Sequence, residues 1–91
     1  MAKVFITQER QQIAELTDRI IGRRKRLRKS QADMSKVLGK ARNTYSVMER
    51  NLEKMPLEDL LTVLHELGFD MSVTERQTES VDFGTHWRHS T

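Results

Sequence analysis

Between positions 42 and 50 the chain reads RNTYSVMER, and Arg42, Asn43, Thr44 and Ser46 crowd their hydrogen-bonding groups into little more than one turn if the stretch is helical. The fork of an arginine matches the paired acceptors on the major-groove edge of guanine. The amide of an asparagine matches the donor and acceptor on adenine, and small hydroxyls suit either. Such a set, presented together on one helix face, has the chemistry needed to distinguish base pairs. A solvated polar face is the plain alternative.

Those residues need elements to hold them. Thr7 is placed to cap a first helix whose Ile13, Leu16, Ile20 and Leu27 share one stripe. This helix extends to about Arg28 and is open to a break near Thr17 and Asp18 or at Gly22. The run GRRKRLRK, residues 22–29, ends it with positive charge that suits a helix C-terminus as well as phosphate. Ser30 then opens a second helix. Asp33 three residues on makes a capping-box variant, Met34, Val37 and Leu38 supply the apolar stripe, and Gly39 stops the helix in the left-handed conformation that only glycine takes without steric cost.

The third helix, from about Arg42 to Arg50, turns Tyr45 and Met48 inward and leaves Arg42, Asn43, Ser46 and Arg50 on the opposite face, with Thr44 beside them. Asn51 is expected as its C′ residue. A loop, NLEKM, leads to Pro56 at the first position of a fourth helix with Leu57, Leu60, Leu61, Leu64 and Leu67 at helical spacing and Gly68 as its stop. After Gly68 the period changes to two. Phe69, Met71 and Val73 alternate with polar residues, which predicts a short strand, and with no second strand nearby it would pair with its copy in a second chain. From Glu75 onward the sequence is polar and aperiodic and reads as a flexible tail. The organisation expected is thus a helical extension over residues 1–15, a core with the dimer strand over 16–74, and the tail over 75–91.

Composition agrees with this frame. A chain of 91 residues buries only about 60 to 65% of its unfolded surface, so a dimer would help it. Residues 1–50 hold 13 Lys and Arg against 5 Asp and Glu, a net +8, whereas residues 51–91 hold 3 against 8, a net −5. A basic half is the footprint of phosphate binding. With no cysteine the chain has neither disulfides nor thiolate metal sites, and a reducing cytoplasm is the simplest compartment. There is no apolar run of signal-peptide or membrane-span length, no glycine-rich phosphate loop, and no Ser, His and Asp set on a plausible scaffold. Neither catalysis nor a cofactor is expected.

At these residues the chain resembles the Xre-type phage-repressor family of helix-turn-helix proteins. Ile20-x-x-x-Arg24, SQADMSKVLGK and ARNTYSVMERN carry the likeness: an arginine in the first helix, Ser-Gln opening the second, a glycine closing it, and a glutamate followed by a basic residue ending the third. It spans roughly residues 16–73. Three places depart from the pattern: Arg28 and Lys29 stand where the family usually has Gly and an apolar residue, Ala41 replaces the usual Ser, and Asn51 replaces a Gly. The resemblance implies an all-α, lambda-repressor-like domain of four to five helices with the short C-terminal strand, binding double-stranded DNA as a homodimer. In it Arg42, Asn43, Thr44 and Ser46 line the groove, Gln31 contacts phosphate or braces the reading helix, and Arg24 pairs internally with Glu49. Arg23, Arg26, Arg28 and Lys29 immediately precede the helix that crosses the backbone, and with Lys40 and Arg50 they are the expected phosphate contacts.

The small size, the segment ELGFDMSV and the polar tail are similar to antitoxins of the HipB type, which implies repression of a palindromic promoter operator and neutralisation of a kinase-like toxin. A phage or mobile-element regulator without a toxin, or a protein-binding module that has lost DNA affinity, would share this build. Trp87 in the tail is a candidate anchor for a partner pocket. His65 reads as a surface residue, and His86 and His89 form at most a weak metal pair, with no carboxylate or thiol beside them.

Overall fold

A computed structural model of the chain describes residues 7–76, which form an all-helical domain. Its elements are α1 (Gln8–Arg26), α2 (Gln31–Leu38), α3 (Arg42–Arg50), a 3-10 turn (Leu52–Lys54) and α4 (Leu57–Glu66). Trp87, His86 and His89 lie outside the described residues. No described helix is long and apolar enough to cross a membrane.

The caps explain where the helices start. Thr7 Oγ1 accepts from the Arg10 amide at 3.1 Å, and α1 then runs unbroken through Thr17, Asp18 and Gly22. At α2 the Ser30 hydroxyl accepts from the Asp33 amide at 3.0 Å while the Ser30 amide donates to Asp33 Oδ2 at 2.8 Å, a reciprocal capping box. The hydrogen bond from the Ser30 amide, and after it the nearby Ser30 hydroxyl, hold the Asp33 carboxyl below its ordinary range. α3 has no side-chain cap, because Ala41 stands at its start.

Three helix ends share one device, in which two successive amides double back to carbonyls of the last turn. Arg28 and Lys29 donate to Lys25 and Arg24, Gly39 and Lys40 to Lys36 and Ser35, and Gly68 and Phe69 to His65 and Leu64. The device needs a left-handed residue at its centre. Gly39 (φ 68°) and Gly68 (φ 78°) provide it freely, but after α1 the residue is Arg28, at φ 59°. Among the described residues Arg28 is the one non-glycine held at positive φ.

The core gathers Ile20 from α1, Met34 from α2, Tyr45 and Met48 from α3, and Val63, Leu64 and Leu67 from the α4 region, with Leu52 and Met55 closing it from the 3-10 turn. α2 packs on both α3 and α4, while α1 packs on α3 and the 3-10 turn. Four expectations about apolar faces need correction. Leu27 lies past the last turn of α1, in the doubled-back segment, and is 41% exposed; Val37 is equally exposed because the buried arc of α2 runs through Met34, Ser35 and Leu38 instead. Leu57 at the first position of α4 is 65% exposed, and Val63, outside the leucine stripe, is fully buried. The loop after α3 is no mere linker, since Leu52 and Met55 enter the core.

Two cap positions also differ. Pro56 is the N-cap of α4, so the helix starts one residue later than expected, and Asn51 sits at φ −135°, outside the left-handed region. The strand expected at Phe69, Met71 and Val73 is absent, and residues 69–76 have no regular secondary structure. The described residues offer this segment no neighbour for a hydrogen-bonded ladder. The Phe69 amide is spent on the Leu64 carbonyl and its ring packs partly against the core, while Met71 and Val73 are 52% and 92% exposed.

Candidate nucleic-acid interface

α3 has two faces of opposite character, and the inner one is fixed by a single carboxylate. Glu49, 1% exposed, accepts from Arg24 Nε at 2.8 Å and Nη2 at 3.1 Å, from Gln31 Nε2 at 3.0 Å and from the Tyr45 hydroxyl at 2.8 Å. Arg24 and Glu49, expected as a pair, therefore meet, and Gln31 braces α3 from α2. Burial alone pushes the Glu49 carboxyl up, but the hydrogen bonds from Arg24, Gln31 and Tyr45 outweigh it and hold the group below the ordinary carboxylate range. Burial, and the bond to Glu49, push the Tyr45 phenol well up, so it remains a neutral donor. Arg24 also donates through Nη1 to the Lys29 carbonyl at 3.0 Å, fastening the doubled-back segment after α1 to the same centre.

With Tyr45, Met48 and Glu49 buried, the outer face of α3 is set by geometry. At about 100° per residue the direction opposite the buried arc falls among Asn43, Val47 and Arg50, with Arg42 and Thr44 on the two flanks and Ser46 between Arg42 and Arg50. Arg42, Asn43, Thr44, Val47 and Arg50 are exposed and Ser46 is half-buried. Val47, 46% exposed, was not singled out by composition or hydrogen-bonding chemistry, yet it occupies the middle of this face. The helical angle was the signal that could have found it.

The cations sort into free and engaged groups. Arg23 Nε donates to the Leu67 carbonyl at 2.8 Å, and its guanidinium carbon lies 5.8 Å from the centre of the Phe69 ring. It caps the end of α4 and steadies the start of the trailing segment. Lys29 Nζ donates to Glu66 Oε2 at 3.0 Å, and Lys40 Nζ stands 3.6 Å from Asp59 Oδ2, a buried oxygen that accepts no hydrogen bond. Arg26 and Arg28 are exposed and take no part in the ion pairs of the described residues, as is true of Arg50.

Arg50 also lines a shallow cleft between α1 and the 3-10 turn, with Arg10, Ile13, Thr17, Asp18 and Glu53. His65 is exposed on α4, and no three His, Asp or Glu side chains of the described residues lie close enough to hold a metal ion. The groups around α3 are hydrogen-bond donors and acceptors with adjacent cations, a set suited to recognition. Comparison with known proteins adds no relative, since no family model, no curated protein and no solved structure matches the chain.

Proposed function

We propose that this protein is a sequence-specific DNA-binding repressor in which α2, the Gly39 turn and α3 act as a helix-turn-helix and α3 enters the major groove. One observation carries the reading. Among the described residues the polar side chains on the outer face of α3 make no hydrogen bond or ion pair, while the Arg24, Gln31, Tyr45 and Glu49 cluster immobilises the opposite face and so fixes the direction in which Arg42, Asn43 and Arg50 point. Rigid presentation of donors and acceptors on a helix about as wide as the groove is what base reading requires. Arg26 and Arg28 supply phosphate contacts, with Arg50 at the far end of the helix. Lys29 and Lys40, already engaged with Glu66 and Asp59, contribute less.

The protein acts as a homodimer on a pseudo-palindromic operator with half-sites about one helical turn (~34 Å) apart, and represses by occluding a promoter. Pairing of residues 69–73 between two chains gives Met71 and Val73 the cover they lack in one. As an antitoxin it also sequesters a kinase-like toxin, the acidic second half of the chain being the surface suited to a protein partner. The test is a gel-shift of the protein on its own upstream region across a salt series. A steep linear fall of log affinity with log salt is expected, and an affinity indifferent to salt would leave only the protein-binding role.

A further inference from the structure

We infer that Val47 reads the C5 methyl group of a thymine, a specificity contact that deepens the DNA-binding reading and rests on it. Every other residue at the centre of the exposed face of α3 carries a hydrogen-bonding group. Asn43 lies one turn before Val47 and Arg50 one turn after it, so an apolar side chain stands between two polar ones in the row that would face the groove.

Nothing among the described residues accounts for a branched apolar residue there. Val47 is 46% exposed, lies outside the core cluster, and occupies the interior of a nine-residue helix, where a β-branched side chain is a poorer helix former than alanine, lysine or glutamate. Its neighbours Tyr45, Met48 and Glu49 already supply the whole inner face. The major groove presents one apolar group, the thymine methyl, and the two methyls of valine complement it by excluding water from both sides. Asn43 at i−4 is then placed to take a neighbouring base pair, so the pair predicts an adenine or thymine step within each half-site.

The experiment starts from a randomised thirty-base-pair duplex pool selected on the full chain. In the recovered duplex each thymidine is replaced in turn by deoxyuridine, which deletes the methyl and leaves every hydrogen-bonding edge intact. For the unmodified protein, one replacement in each half-site should weaken binding about three- to five-fold, the value of burying one methyl-sized group. Val47→Ser should bind the thymidine duplex more weakly by a similar factor and show no response to the replacement. Val37→Ser, which removes an exposed branched apolar side chain from α2 instead, should retain the response.

If no replacement matters, or if Val47→Ser keeps the full response, Val47 is not the reader. A pool from which no duplex is recovered overturns the DNA-binding reading itself, and this inference with it. Circular dichroism of Val47→Ser should be unchanged, as expected for an exposed position.

Discussion

Arg24 grips Glu49 through two hydrogen bonds, Nε to Oε2 at 2.8 Å and Nη2 to Oε1 at 3.1 Å, and thereby ties the first helix to the hidden side of the third. Removing one charge of such a pair leaves the other buried without its counter-ion. Glu49→Gln is therefore expected to cost about 3 kcal/mol in urea denaturation near pH 7.

The same pair sets the acid limb of stability. The Glu49 carboxyl is held below its ordinary value of 4.5 in the folded chain, so the unfolded chain binds more protons as that range is crossed. The contribution of Glu49 is complete above 4.5 and is lost as the pH falls through the lower folded value. Glu49→Gln should flatten the dependence of the urea midpoint on pH in this window. An unchanged acid limb in the variant would show that other carboxylates control it.

Arg42→Ala and Asn43→Ala should each cost roughly 1 to 3 kcal/mol of operator binding and relax preference at one base pair, whereas Arg26→Ala should weaken operator and random duplex alike and lower the salt slope by about one. Fluorescence anisotropy on both duplexes at several salt concentrations separates the two classes. Equal losses on both duplexes for Arg42→Ala and Asn43→Ala would contradict base reading.

Arg28 occupies the left-handed conformation at φ 59°, which costs an ordinary residue roughly 1 kcal/mol that glycine does not incur. Arg28→Gly should raise the melting temperature by several degrees while weakening DNA binding at low salt, because the exposed guanidinium is lost with the strain. Calorimetry and a binding isotherm on the same preparation check both halves. A variant that melts lower would mean that the side chain makes a stabilising contact.

Gly39 and Gly68 are both left-handed, but their surroundings differ. A Cβ at Gly39 meets nothing within 4 Å, whereas at Gly68 it would stand 3.0 Å from Arg23 Nη2. Gly68→Ala should therefore destabilise by more than the roughly 1 kcal/mol expected of Gly39→Ala. In an Arg23→Ala background that excess should vanish, as a double-mutant cycle by chemical denaturation would reveal.

How much of this was legible beforehand follows the physics of each part. Thr7, Ser30 with Asp33, Gly39 and Gly68 announce helix limits by side chains with one local use, and the structure places them at those limits. The inward turn of Tyr45 and Met48 follows from spacing alone. Arg28 hid the end of α1, because a left-handed residue other than glycine bears no local signal and only the departure from the usual Gly of the resembled family marks the place. Leu52 and Met55 were hidden by their short 3-10 turn, which has too few residues to show a period. The engagement of Arg23 with Leu67 and of Lys40 with Asp59 joins residues far apart along the chain, a pairing that no local pattern specifies. At residues 69–73 the alternation predicts a strand that the structure does not contain, since a ladder needs a neighbour that the described residues do not provide.

The arginine-rich run from Gly22 to Lys29 looks interchangeable on paper, yet its members have separate assignments: Arg23 closes the end of α4, Arg24 holds Glu49, and Arg26 and Arg28 face solvent. A shuffled version with identical charge, exchanging Arg24 with the lysine that follows it, would keep the long-range positive field and forfeit the two-pronged grip on Glu49 that ties α1 to α3. Within this run electrostatic attraction depends on the tally of charges, while the architecture depends on their order.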